Sequence, residues 1–319
     1  MYSWITGIGV ASATAGAVVW ASFTEPAYEP QRFDSFRMLE FTEMLSGDAL
    51  AGRESGAQGA ATARSMIKQR FVTSGLLAYQ LGYEHEFQHG PLNNRQAQKA
   101  GVNLVGRIEG TDPAGPAMVI SAHYDHLGDG DGAIFNGADD NASGVAALVA
   151  AAEWFADNPP EHTIIFAAFD AEEAGLMGAR NFVRNAPAPI EQLALNVNLD
   201  MVARADAGEL YAAGAYHTPQ LAGVIDEAGM ASPLMVLRGH DSPADGDQDW
   251  TMLSDHAAFH EAGVPFVYYG VEDHDDYHKT SDEFSKIDPD KFLRSVEAII
   301  IAVELFDERL DEIAAIPRD

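Results

Sequence analysis

The sequence predicts an α/β fold: a single globular domain with a central, mixed but mostly parallel β-sheet and helices on both faces. Three observations carry this. The apolar runs Met118–Ala122, Thr163–Phe169 and Leu193–Leu199 do not alternate with polar residues, as strands buried on both faces do not. Helical patterns separate these runs, and strand–helix alternation builds sheets with parallel neighbours. Finally, 319 residues that are 47% hydrophobic can fill one large core.

The elements follow in order. Trp4 to Phe23 carries no charge and is rich in small and branched residues, so residues 1–30 read as a signal-like or membrane-anchor segment with a linker from Pro26 to Pro30. This predicts export, to the periplasm or outside the cell, or anchoring in a membrane. The globular domain then runs over residues 31–319. Helical spacing predicts helices over Asp34–Leu45, with Gly47 as a stop, and over Gln58–Thr73, with Gly75 as a stop. Tyr83–His89 alternates and reads as a strand whose histidines, His85 and His89, are expected at the surface. Asn103–Ile108 and Met118–Ala122 are strands separated by a Pro/Gly turn. A small-residue helix is predicted over Ser143–Ala156 and another helix over Gly175–Val183. Further strands are expected at Leu210–Ala212 and Val264–Tyr269, with helices at Asp255–Glu261 and Pro289–Leu310.

Composition narrows the function. Nineteen basic against 49 acidic side chains give a net charge of −30, which repels nucleic acid and anionic lipid surfaces. With no cysteine, neither disulfides nor thiolate ligands nor a thiol nucleophile are available.

The chemistry-bearing residues sit where the apolar runs stop. His123 and Asp125 follow MVISA; on an extended segment they point the same way, so the Asp125 carboxylate is placed to receive the second ring N–H of His123. His126, beside them, is expected to shape the loop. Asp139 and Asp140 lie between Gly137 and Asn141, where a sharp backbone bend lets one carboxylate turn inward and bridge two ions; as helix caps they would face solvent instead. Glu172 and Glu173 follow IIFAAFD, so one can ligate while the other remains free to take a proton. Asp200 ends LNVNL in a buried setting that calls for a cation partner. His278 comes from a later segment, and His274 sits in an acidic loop expected to be solvated. Imidazole and carboxylate donors from separate strand ends suit zinc in an open, catalytic site.

Together the motifs AHYDHLG, NGADDNASG, AEEAGLMGA, NLDMV, SDHAAF and DYHKTSDEF resemble the M28 family of zinc metallopeptidases, the di-zinc aminopeptidases. The resemblance extends from Asp34 to the C-terminal helix. It implies a zinc-exopeptidase-like fold, two zinc ions per chain and peptide substrates with a free N-terminus. It also implies that Asp139 bridges the ions, that Glu173 and His278 complete one site, and that His123 and Asp200 complete the other. Glu172 would be the general base, Asp125 would orient His123, and the Asp139–Asp140 peptide would be cis. Ser254, Asp255 and His256 match an element on the substrate side. Loops around Asp206–Tyr216 and Asp241–Leu253 are expected to build the pocket. The alternatives are a glutaminyl-cyclase-like single-zinc acyltransferase and an inactive, peptidase-like binding domain. Oligomeric state is not encoded in these motifs.

Overall fold

The computed structural model describes residues 28–90, 98–130 and 132–318; the uncharged Trp4–Phe23 segment lies outside them. Helices α1 (Ser35–Leu45) and α2 (Gln58–Thr73) precede strands β1 (Leu77–Ala78), β2 (Glu84–His89), β3 (Lys99–Ile108) and β4 (Ala117–His123). The hairpin β5 (Gly128–Gly130) and β6 (Ala133–Phe135) leads to α3 (Gly144–Asp157), β7 (Thr163–Phe169), α4 (Met177–Arg184) and β8 (Leu193–Leu199). Next come β9 (Glu209–Ala213), α5 (Ala222–Ala231), β10 (Met235–Arg238), α6 (His256–Glu261), β11 (Phe266–Gly270), α7 (Pro289–Glu308) and α8 (Leu310–Ala314).

Among the described residues, nine strands form one sheet in the order β1-β3-β7-β4-β8-β11-β9-β10, with β2 added against β3. Its centre, β7-β4-β8-β11, is wholly parallel, and antiparallel pairing is confined to β1-β3, β2-β3, β3-β7 and β9-β11. Every residue of β4 and β8 is buried, which is why these strands read as unbroken apolar runs. Alternation within β4 divides its side chains between two cores. Met118, Ile120 and Ala122 join α1, α2, α3 and α7 on one face. Ala117 and Val119 join α4 and α6 on the other, where Phe169, Phe182 and Phe259 pack with ring centroids 5.4–6.3 Å apart. The small residues of α3 let that helix lie directly on the sheet, and nearly all of them are inaccessible to solvent.

Local rules account for the helix ends. Asp34 accepts the Arg37 N–H at the start of α1, and Asp288 accepts the Asp290 and Lys291 N–H groups where Pro289 opens α7. The predicted terminal helix forms as α7, which ends at Glu308, and the short α8 follows beyond it. The strand containing His85 and His89 forms, but His89 is a correction: it is buried and bonded to Ser55 Oγ at 2.9 Å. Pairing of β2 with β3 turns its face inward, which alternation alone could not show.

Parallel strands in adjacent register end together. Thus β4, β7 and β8 deliver His123, the Asp170–Glu173 turn and Asp200 to one edge of the sheet, where ligands gather in open α/β folds.

Candidate metal centre

The centre is assembled by tight turns at three strand ends. After β7, Asp170 is buried and accepts the Val102 N–H and the Tyr124 hydroxyl, which ties this turn to β3 and to the segment after β4. Left-handed Ala171 (φ 60°) then reverses the chain and exposes Glu172 and Glu173 to the same cavity. Asp139 and Asp140 lie in the wide helical turn 138–143, entered through left-handed Gly137 (φ 55°). A Cβ at Gly137 would sit 1.9 Å from the Asp140 carbonyl oxygen, so only glycine permits this entry. The turn is anchored on both sides. Asp282 accepts the N–H groups of Asp139 and Asp140, while Asn141 donates to the Leu199 carbonyl and accepts from Gly144 and Met201.

A buried arginine braces the assembly from behind. Arg53 donates to the carbonyls of Tyr124, Leu45, Asn136 and Gly137 at 2.6–3.0 Å. Its fork therefore clamps the segment that follows His123 to the turn that carries Asp140.

Two donor groups result, and they share one residue. His123 Nε2 lies 3.4 Å from Asp140 Oδ1 and 3.3 Å from Asp200 Oδ1. His278 Nε2 lies 3.1 Å from Asp140 Oδ2 and 3.5 Å from Glu173 Oε2. Donors bound to one tetrahedral zinc at 2.0–2.1 Å are separated by about 3.4 Å, so the first group fits zinc by donor type and spacing; in the second, Asp140 and Glu173 converge with His126 as well, and His278 approaches each of the two carboxylates at a zinc-like distance. The His123 tautomer agrees as well. Its Nδ1 lies 3.1 Å from the Asp125 main-chain carbonyl, which can only accept, so Nδ1 carries a proton and Nε2 is the atom that would give its lone pair to a metal.

Several expectations need correction. The carboxylate between the two groups is Asp140. Asp139 points away: its Oδ1 accepts the Ala203 N–H at 2.7 Å, and its Oδ2 faces His274 Nε2 at 3.1 Å. The cis peptide accordingly joins Asp140 to Asn141, one bond later than expected. His274 is half-buried against Asp139, where sequence suggested a solvated loop. The Asp125 carboxylate is 3.8 Å from the His123 ring and accepts the Glu172 N–H at 3.0 Å, so it braces the glutamate turn while its carbonyl orients His123.

His126 does more than shape the loop. Its Nδ1 lies 2.7 Å from Glu173 Oε1, at hydrogen-bond distance and too close for two donors on one tetrahedral ion. It holds one Glu173 oxygen while the other faces His278. Its position three residues after His123 was the available signal.

Electrostatics mark the centre as short of positive charge. Burial opposes protonation of His123, yet Asp200, Glu172 and Asp140 outweigh it and push the imidazole well above its usual range. Burial is likewise the largest influence on Asp140, but His126, His123 and His278 hold it well below the usual carboxylate range. Glu172 is pushed well above that range by burial, with Asp255, Asp200 and Glu173 adding to the rise and His123 opposing it.

The cavity over the centre holds about 460 Å³ and is walled by Leu176, Trp250, Met252, Leu253 and Tyr277, with Arg180 and Asp273 among its charged members. The 250–253 stretch thus lines it as expected, whereas residues 206–216 do not. Ser254, Asp255 and His256 are also absent from this wall, a further correction. All three are buried behind it. Ser254 Oγ receives Asn198 Nδ2 and hydrogen-bonds Asp200. Among the described residues neither Asp255 oxygen has a hydrogen-bond partner, and burial lifts that carboxyl to about 7. His256 Nε2 donates to the Trp250 carbonyl and so steadies the wall from below.

The sequence matches the model of peptidase family M28 over residues 103–303. It is 38% identical over 80 residues to a vacuolar membrane protease of Kluyveromyces lactis, a match covering 25% of this chain and 8% of that protein. It is 35% identical over 112 residues to a probable zinc metalloprotease of Pyrenophora tritici-repentis, covering 33% of this chain and 25% of that protein. The chain therefore spans a quarter or less of these relatives' lengths. Among solved structures, the aminopeptidase from Aneurinibacillus sp. strain AM-1 superposes with a TM-score of 0.65 at 16% identity, covering 85% of this chain and 93% of that one. Porphyromonas gingivalis glutaminyl cyclase superposes with a TM-score of 0.68 at 18% identity, covering 86% and 98%. At these identities the superpositions establish the fold.

Proposed function

Because this chain belongs to peptidase family M28, we propose that it is a zinc-dependent aminopeptidase that binds two zinc ions and removes the N-terminal residue of peptides. The observation that carries this reading is the division of Asp140 between two donor groups, one oxygen to each. His123, Asp140 and Asp200 would hold one ion; Asp140, Glu173 and His278 would hold the other. Bound zinc supplies Lewis-acid polarisation of the scissile carbonyl and acidifies water.

The remaining work falls to side chains. Glu172 lines the cavity but belongs to neither donor group, so it is free to accept the proton of the attacking water and pass it to the leaving amine. Asp125 fixes the Glu172 backbone through its N–H, which sets where that carboxylate begins. The acidic lining, including Asp273, gives a cationic α-amino group a counter-charge that an internal peptide bond does not need. This favours exopeptidase over endopeptidase action.

The test is zinc per chain together with hydrolysis of aminoacyl anilides, with and without N-acetylation, before and after chelation and zinc restoration. The expected result is two zincs and restorable cleavage of the unblocked substrates only. Equal cleavage of the acetylated substrates would refute the exopeptidase reading. The likeness to a glutaminyl cyclase supports a second reading, examined with a Gln-initiated peptide: loss of ammonia with the peptide bond intact would favour it.

A further inference from the structure

The cavity is strongly acidic, yet one permanent cation faces into it. Among its described lining residues, Arg180 is the one arginine or lysine. Neither donor group nor the proposed proton transfer uses it. Its partner is Glu261 on α6, at 3.3 and 3.5 Å, and both side chains are about a third or more exposed (34% and 44%). Exposed pairs of this kind contribute about 0–1 kcal/mol, so the guanidinium remains available to a better acceptor.

Its position relative to the reaction is fixed. The Leu176 N–H bonds the Glu172 carbonyl at 2.8 Å, and the Arg180 N–H bonds the Leu176 carbonyl at 2.9 Å. Arg180 thus stands one helical turn, about 6 Å of rise, beyond the residue that closes the glutamate turn. The helix cannot drift. A Cβ at Gly178 would lie 2.2 Å from the Asp170 carbonyl oxygen, and Asn103 Nδ2 holds the Gly178 carbonyl at 2.8 Å. An extended peptide advances about 3.5 Å per residue. Because Arg180 and the donor groups line one cavity, the carboxylate of a peptide one or two residues beyond the scissile bond is offered to that long side chain.

We propose that Arg180 receives the C-terminal carboxylate of short substrates, so that the enzyme prefers di- and tripeptides with a free C-terminus. This rests on the aminopeptidase reading and specifies its substrate class. Arginine suits the task because its planar fork meets a carboxylate with two parallel hydrogen bonds. Outside the donor groups and Glu172, whose charge bound zinc would offset, the other charged lining residue is Asp273, so Arg180 is the fixed cation this wall offers a free C-terminus. The apolar residues Trp250, Met252 and Leu253 are suited to an apolar N-terminal side chain.

The experiment compares kcat/KM for leucyl-glycine, leucyl-glycinamide and leucyl anilide on the zinc-loaded full chain. Wild type is expected to favour the free acid over its amide by about tenfold, as a charge-assisted contact at a partly exposed site gives. Arg180→Gln should bring that ratio to near parity, whatever it does to either rate alone. Glu261→Gln, which removes the competing carboxylate, should raise the ratio. A wild-type ratio of one or less, or a ratio unchanged in Arg180→Gln, overturns the assignment while anilide cleavage leaves the aminopeptidase standing. Failure of wild type to cleave any of the three removes the aminopeptidase reading, and this one with it.

Discussion

The adjacent acids Asp139 and Asp140 offer a sharp test, because they are chemically identical and differ only in where the turn aims them. Asp140→Asn replaces one oxygen with a nitrogen that carries protons and has no lone pair to give, so a single carbonyl oxygen remains for two donor groups. The lost charge is felt at both, since His123 and His278 each face an Asp140 oxygen at 3.1–3.4 Å. Asp139→Asn changes a residue that touches no proposed ligand side chain. It can keep its bond to the Ala203 N–H through the amide oxygen and alters only the contact with His274. Removing an outer partner of a metal site costs roughly 10- to 100-fold in affinity, or about 1.4–2.7 kcal/mol. Asp139→Asn should therefore still bind two zincs at saturation, within that loss. Asp140→Asn should retain at most one and lose more than 100-fold in affinity at its weaker site. Zinc per chain after dialysis against buffered free zinc, with competition against a chromogenic chelator, measures both, and circular dichroism confirms that each variant is folded. If Asp139→Asn loses more zinc than Asp140→Asn, the bridging assignment is wrong.

Two further outcomes are expected. Glu172→Gln should keep both zincs and lose roughly 10²–10⁴-fold in kcat, the range for a general base; full activity would sink its role, and loss of zinc would make it a ligand. His256 tests acid stability: burial depresses its pKa to about 3, against an ordinary 6.5, so between those values the unfolded chain binds the proton that the folded chain refuses. Its contribution is full above pH 6.5 and falls with pH, by about 2 kcal/mol at pH 5; urea midpoints should show this loss reduced in His256→Gln, and an equal loss in that variant would refute the assignment.

The core strands were legible because burial on both faces leaves an unmistakable composition. Thr163–Phe169 and Leu193–Leu199 form over the predicted ranges. Edge elements left no such mark: Met235–Arg238 is a four-residue, partly exposed strand and was not anticipated, nor was α5 before it. At the centre, residue types and strand ends told which segments meet. They could not tell which of two neighbouring acids turns inward, because that depends on the left-handed entry at Gly137 and on the Asp282 carboxylate, 142 residues away from Asp140, that receives the turn's N–H groups. His89 and His274 were misplaced for the same reason. Each is drawn inward by a partner distant in sequence, Ser55 or Asp139, that local pattern does not contain.

Charge at the centre leads to one more consequence. Asp125, Asp140, Glu172, Asp200 and Asp255 are gathered in a small volume, and all but Glu172 are largely inaccessible to solvent. Among the described residues the one arginine buried behind them, Arg53, makes its hydrogen bonds to carbonyls, and burial lowers its own pKa to about 10 against the pull of Asp140, Asp282, Asp125 and Glu173. One guanidinium does not neutralise so many carboxylates, and an unpaired buried charge is costly. Divalent cations would restore the balance, and metal affinity here would then also be folding stability. At free zinc 100-fold above each dissociation constant, one site contributes about 2.7 kcal/mol and two contribute about 5 kcal/mol, less whatever zinc the unfolded chain binds. Chelation should therefore lower the thermal midpoint by several degrees or more, and zinc should restore it. Asp140→Asn should show little response to zinc, because its second site is gone and its first is weakened. A wild-type midpoint indifferent to chelation would mean that the cluster is balanced by its own protons, and the argument from charge would fail.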